Sequence, residues 1–110
     1  MLGFLAVLAG AFGAHFLKAR LGEGLLATFE VGVRYQMYHA LVLLVLPLFK
    51  GRAEERGLHR AGWSFLLGVC LFSGSLYLLV FSGISAFGAV TPVGGVLLLI
   101  GWILLAFSLV

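Results

Sequence analysis

Four apolar runs constrain this chain more than anything else in it: residues 1–17, 31–49, 61–81 and 92–110. A bilayer core of about 30 Å needs roughly 20 apolar residues in a helix, with about 17–25 tolerated. All four runs fall within that range. Inside lipid every backbone N–H must find a local partner, so each run is predicted to be helical. A transmembrane barrel is not expected, because no stretch of about ten residues alternates apolar with polar side chains. Composition agrees: 63% of the chain is hydrophobic and 10% charged, against about 45–50% and 25% in soluble domains. A soluble domain of 110 residues has too much surface for its volume to hide so much apolar area. An ordinary cytosolic domain, a disordered chain and a nucleic-acid binder are thereby excluded. The expected fold is all-α: one integral membrane domain over residues 1–110, built as a four-helix bundle.

The connecting segments differ in character. Residues 18–30 carry Leu21, Leu25, Leu26 and Phe29 at helical spacing, which predicts a short interfacial helix lying with its apolar side on the membrane. Residues 50–60 are the most charged stretch, with Lys50, Arg52, Arg56 and Arg60, and His59 is read there as a solvated loop residue. Residues 82–91 have no charge. Pro47 should kink or end the second helix before Lys50, and Thr91 followed by Pro92 reads as an N-cap with proline at the first helical position. Helix order puts residues 18–30 and 82–91 on one side of the membrane, and residues 50–60 with both termini on the other. Four basic residues on the second side, against Lys18, Arg20 and a snorkelling Arg34 on the first, favour both termini in the cytoplasm. The opening residues Met1–Phe4 lack a basic group, so a cleaved signal peptide is not expected. Cys70 stands alone in an apolar run, which suits a small packing residue.

Helices associate in lipid through close backbone approach at small residues. Helix 1 offers Gly3, Ala6, Gly10 and Gly13; helix 3 offers Ser64, Gly68 and Ser75 on one side, with Cys70, Ser73, Gly74 and Tyr77 on another; helix 4 offers Gly94, Gly101 and Ser108. Spacings near 3.5 predict left-handed crossings.

The polar residues concentrate between Phe29 and Ala40. Ionisable groups at membrane depth are costly and tend to be paired or functional. Glu30 and Arg34 stand four apart with the acid first, the favourable order for a helical ion pair. At about 100° per residue, Tyr35, Tyr38 and His39 share a side, Glu30 and Arg34 lie on its flank, and Gln36 faces away. His15, near the end of helix 1, is expected at the depth of His39. Such a pair could hold a haem or metal or serve a proton or anion path. It could equally be part of a hydrogen-bonded anchor at the helix ends. Two histidines without cysteine or carboxylate partners are a weak ligand set, and no metal or cofactor is assigned. Without an aspartate, a CxxC or a phosphate-cradling glycine loop, no catalytic constellation is expected.

Several stretches resemble a known family: Gly10-Ala11-Phe12-Gly13-Ala14-His15, Phe29-Glu30, Val33 to Leu41, Phe72 to Tyr77, and Thr91-Pro92-Val93-Gly94-Gly95. In order along the whole chain, they resemble the DUF423 family of small membrane proteins, related to transmembrane protein 256. The resemblance implies a four-helix protein of bacterial inner membranes and no particular activity. Two functional expectations follow. The first is a non-enzymatic accessory protein packing with itself, lipid or a larger membrane complex. The alternative is an oligomeric transporter or channel using the polar cluster. Helix 1 has no acidic residue, which disfavours the proton-coupled exchange of small multidrug transporters.

Overall fold

A computed structural model describes the backbone of residues 1–110 and every side chain except that of Ala14. Four α-helices follow one another among the described residues: α1 (Leu2–Phe16), α2 (Glu23–Val45), α3 (Glu55–Ser82) and α4 (Thr91–Leu109). Short 3-10 helices, Leu46–Phe49 and Ser85–Ala89, continue α2 and precede α4. Pro47 ends α2 as expected, because its ring cannot continue the α-helical ladder. At the other end of the loop, the Glu54 carboxylate accepts from the Gly57 N–H at 2.8 Å and caps α3. Gly83 closes α3 in the left-handed region, at φ 71°, where a side chain would be strained.

Three expectations change. No separate interfacial helix forms over residues 18–30. The chain turns at residues 17–20, and from Glu23 the helix runs unbroken into the membrane segment. Nothing after Gly22 interrupts a helical ladder there, and Phe29 is drawn into the interior rather than onto a membrane surface. Thr91 is not an N-cap either. It is the first residue of α4, and its hydroxyl lies 2.6 Å from the Ser75 hydroxyl on α3. Finally, α1 has 15 residues, about 22 Å at 1.5 Å per residue. Three helical segments among the described residues are long and apolar enough to cross a membrane: Glu23–Phe49, Glu55–Ser82 and Ser85–Leu109.

The helices form an open, curved row instead of a closed bundle. Helix backbones approach each other only between sequence neighbours, α1 with α2, α2 with α3 and α3 with α4, and the molecule measures 48 × 26 × 16 Å. The tightest seam joins α3 to α4. A Cβ on Gly68 would stand 2.8 Å from Leu98 Cδ2, one on Gly101 2.7 Å from Phe65 Cδ1, and one on Gly94 would run into the backbone N of Phe72. The Ser64 hydroxyl donates to the Leu97 carbonyl at 2.6 Å across the same seam. Lipid tails are as apolar as these side chains, so this contact and hydrogen bonding, more than water exclusion, hold the pair. The core consists of Leu46, Leu58, Ala61, Phe65, Val69, Leu98 and Leu105. α1 meets α2 at Ala6, which is buried, at Gly10, whose Cβ would stand 3.3 Å from Val33 Cγ1, and at Gly13, where a Cβ would meet the Phe29 ring.

Of the expected seam glycines, Gly10, Gly13, Gly68, Gly94 and Gly101 lie against a neighbouring helix, whereas Gly3 and Gly74 face open space. Two seam glycines escaped the sequence reading: Gly32, beneath the Tyr77 ring, and Gly57, against Ser108. Gly94→Ala is expected to cost about 1–3 kcal/mol by overpacking, because backbone cannot yield as a side chain can, while Gly3→Ala should be neutral. Thermal unfolding in detergent, followed by near-UV circular dichroism, distinguishes the two.

Candidate functional site

The polar cluster of α2 divides into an inner and an outer half. Gln36 and His39 point inward and are buried, whereas Glu30, Arg34, Tyr35 and Tyr38 are exposed. The division follows from helical spacing. Glu30, Arg34, Tyr38 and Leu41 recur every three or four residues and form one outward stripe, opposite Phe29 and Gln36.

Gln36 ties three helices together. Its Nε2 donates to the Leu2 carbonyl of α1 at 2.8 Å, and the Tyr77 hydroxyl of α3 donates to its Oε1 at 2.7 Å. One helical turn away, the Ser73 hydroxyl donates to the Gly32 carbonyl at 2.7 Å, which brings α3 close to the α2 backbone. Among the described residues no buried side-chain N or O lacks a hydrogen-bond partner, as a low-dielectric interior demands.

His39 ties α2 to α4. Its Nδ1 lies 2.7 Å from the Tyr35 carbonyl, and the Trp102 indole N–H donates to its Nε2 at 3.1 Å. A carbonyl can only accept and an indole N–H can only donate. The ring is therefore neutral, with the proton on Nδ1 and the lone pair of Nε2 already engaged. Phe65 and Trp102 pack around it at centroid distances of 5.6 and 6.0 Å. In this arrangement neither nitrogen is free to ligate a metal.

The expected His15–His39 pair does not form. α1 and α2 run antiparallel, with Gly13 against Phe29 and Gly10 against Val33. His15 thus lies near the start of α2, while His39 lies ten residues past Phe29, about 15 Å further along the helix. His15 is exposed at the end of α1. Among the described residues, no three His, Cys, Asp or Glu side chains converge to hold a metal ion. His59 belongs to α3, not to a loop, and accepts from the Trp63 indole N–H at 3.1 Å. Cys70, expected in the packing, is exposed instead.

Two hollows flank the row. A groove of about 700 Å³ runs between α1 and α3 with α2 as its floor, lined in part by Gln36, Cys70, Ser73 and Tyr77. A smaller hollow of about 380 Å³ lies beside Tyr35, His39, Phe72 and Trp102. Cys70 and Phe72 are about 200° apart on α3, so the two hollows open on opposite faces of the row.

The sequence carries this architecture beyond the single chain. The profile of the family described as a protein of unknown function (DUF423) matches residues 9–95. This chain belongs to the DUF423 family. A UPF0382 membrane protein of Staphylococcus aureus is 45% identical over 104 residues, covering 94% of this chain and 84% of that protein. The UPF0382 membrane protein YwdK of Bacillus subtilis is 44% identical over 107 residues, covering 96% of this chain and 87% of its own length. No solved structure matches the chain. The DUF423 chain is thus a membrane protein, and the family description assigns no activity. The resemblance on which the sequence reading relied is borne out.

Tyr77 and Trp102, which complete the two buried networks, were not singled out as polar partners from sequence. The available signal was general: a tyrosine hydroxyl or indole N–H in an apolar helix needs an acceptor. A double-mutant cycle of Gln36→Leu and Tyr77→Phe is expected to give a coupling of about 0.6 kcal/mol, with about 1.7 as the upper end for membrane helices. Additive losses in chemical unfolding would show that the pair is not a working contact.

Proposed function

We propose that this DUF423 protein is a non-enzymatic accessory protein of the bacterial plasma membrane that associates laterally, with itself or with a larger complex, through the outer face of α2. One observation carries the reading: the exposed stripe of Glu30, Arg34 and Tyr38 within a helix long enough to span. Arg34 stands eleven residues after Glu23, about 17 Å along the helix. Its neighbour Tyr35 packs against Phe72 at 4.7 Å, and Phe72 lies midway along the apolar part of α3. An arginine at such depth costs about 2.5–3.5 kcal/mol on insertion scales, and membrane proteins pair such groups or turn them away from lipid. Glu30 stands one helical turn before Arg34 on the same exposed stripe. A second copy in the same orientation could bring each Arg34 against the other's Glu30, as two-fold symmetry allows.

The transporter alternative draws less support. The inward polar groups close on one another through Tyr77, Gln36 and Leu2, and the larger groove is walled mainly by apolar side chains.

The proposed placement has the C-terminus in the cytoplasm. The C-terminal end of α4 meets the loop before α3 through the Glu54 N–H to Ser108 carbonyl bond of 3.1 Å. That end carries Lys50, Arg52, Arg56 and Arg60, while Lys18 and Arg20 lie at the other. C-terminal reporter fusions should be active as a cytoplasmic fluorescent protein and inactive as a periplasmic or extracellular phosphatase; the reverse pattern refutes the orientation.

The lateral contact is tested with Cys70→Ser as background. A cysteine at Arg34 or Tyr38 is expected to cross-link in native membranes, to a second copy or to a discrete larger partner, whereas one at Leu99 on α4 should not. Equal cross-linking at all three positions would refute a specific α2 face. Native mass spectrometry of the unmodified protein then reads the subunit count.

A further inference from the structure

We propose that the groove between α1 and α3 is a binding site for one acyl chain of an anionic glycerophospholipid, whose headgroup sits at Lys18 and Arg20. This site is independent of whatever packs on the outer face of α2.

The dimensions select the occupant. The groove follows α1 from Leu2 to Leu17, a length of about 22 Å at 1.5 Å per residue. Its volume of about 700 Å³ spread over that length makes an open slot narrower than a helix with its side chains. An α-helix is about 10–12 Å wide with its side chains and would displace roughly 1,700–2,500 Å³ over the same length. A helix of a partner or of a second copy could seat only part of its girth in the slot, whereas a single hydrocarbon chain can lie within it along its whole length. The length exceeds half of the roughly 30 Å hydrocarbon core, so one leaflet's chain can lie along it throughout.

The lining matches. Ala9 and Gly13 on α1 and Gly74 on α3 keep the slot narrow but open, and Phe12, Phe16 and Phe81 provide aromatic walls. The polar side chains Gln36, Ser73 and Tyr77 spend their hydrogen bonds on helix contacts, so little in the slot calls for a polar ligand. The mouth is different. Where the groove ends at Leu17, the chain turns and presents exposed Lys18 and Arg20, with the single carboxylate Glu23 opening α2. Cationic side chains at the level of the headgroups attract anionic lipid.

Gly74 permits a direct test, because a Cβ there meets nothing within 4 Å and the residue lines the groove. Gly74→Phe fills the slot without striking protein. Gly3→Phe adds the same bulk at a position that is also open but outside the groove lining. The full chain is reconstituted in nanodiscs of phosphatidylcholine with phosphatidylglycerol, released gently, and read by native mass spectrometry. The expected result is one retained phospholipid per chain, phosphatidylglycerol over phosphatidylcholine by at least several-fold. It should be lost in Gly74→Phe and kept in Gly3→Phe. Lys18→Gln with Arg20→Gln should keep the lipid and lose the preference. Retention in Gly74→Phe equal to the unmodified protein overturns the site, and equal retention of the two lipids by the unmodified protein overturns the anionic headgroup. Cys70 gives a reading that needs no bulky variant. Its exposed thiol lines the same groove, so stripping lipid should speed its reaction with an apolar maleimide several-fold. An unchanged rate also overturns the proposal.

Discussion

The structure depends first on how closely α3 and α4 can approach. Water expulsion does not press two helices together in lipid, so the attraction must come from contact itself. Glycines on both partners allow that contact. Gly94 receives the backbone of Phe72, Gly101 receives the Phe65 ring, and Gly68 receives Leu98. The register stays constant along the pair: moving from Gly57 to Ser75 on α3 moves from Ser108 to Thr91 on α4, eighteen residues against seventeen. α3 so fixed becomes the spine on whose other side α2 is hung, through Ser73 on Gly32 and Tyr77 on Gln36. α1 comes last, resting on α2.

Polar chemistry is distributed accordingly. Side chains that look like a reactive cluster along the sequence of α2 become, in three dimensions, two sets with different partners. Gln36 and His39 join neighbouring helices, and their donors and acceptors are matched one to one. The neutral tautomer of His39 follows from that matching. A second proton on Nε2 would face the Trp102 N–H donor and break the contact to α4. Glu30, Arg34 and Tyr38 face outward, where only lipid, one another or another molecule can answer them.

Much of this was legible from the sequence. The helices, the stop at Pro47 and the small-residue seams of α3 and α4 follow from composition and spacing, because close approach in lipid demands small residues at regular intervals. The failures have physical reasons. Helical spacing gives the direction a residue faces but not whether a neighbour lies there, so Gly3 and Gly74 looked like Gly10 and Gly68. The His15–His39 pair assumed that α2 begins near Val31, level with the end of α1. In fact α2 starts early, at Glu23, and carries His39 far from the end of α1. The apolar pattern of residues 21–29 suits an interfacial helix as well as the first turns of a spanning one, and only the packing of Phe29 on Gly13, Tyr77 and Phe81 decides between them. The groove could not be read at all, since it arises from which helices fail to touch.

That failure to touch links stability to occupancy. α1 is held by the contacts at Ala6, Gly10 and Gly13 and by the bond from Gln36 to Leu2, and its backbone makes no close approach to α3. It is therefore the least restrained helix and also one wall of the groove. Anything that binds both walls binds the docked arrangement better than the loosened one, and stabilises it by RT ln(1 + [L]/Kd). The reciprocal also holds, since whatever loosens α1 must weaken binding in the groove by the same coupling energy. Gln36 stands at the crossing of the two effects, because it lines the groove and holds α1. Its amide joins α1 to α3 through Leu2 and Tyr77, so loosening α1 removes one of its two hydrogen bonds.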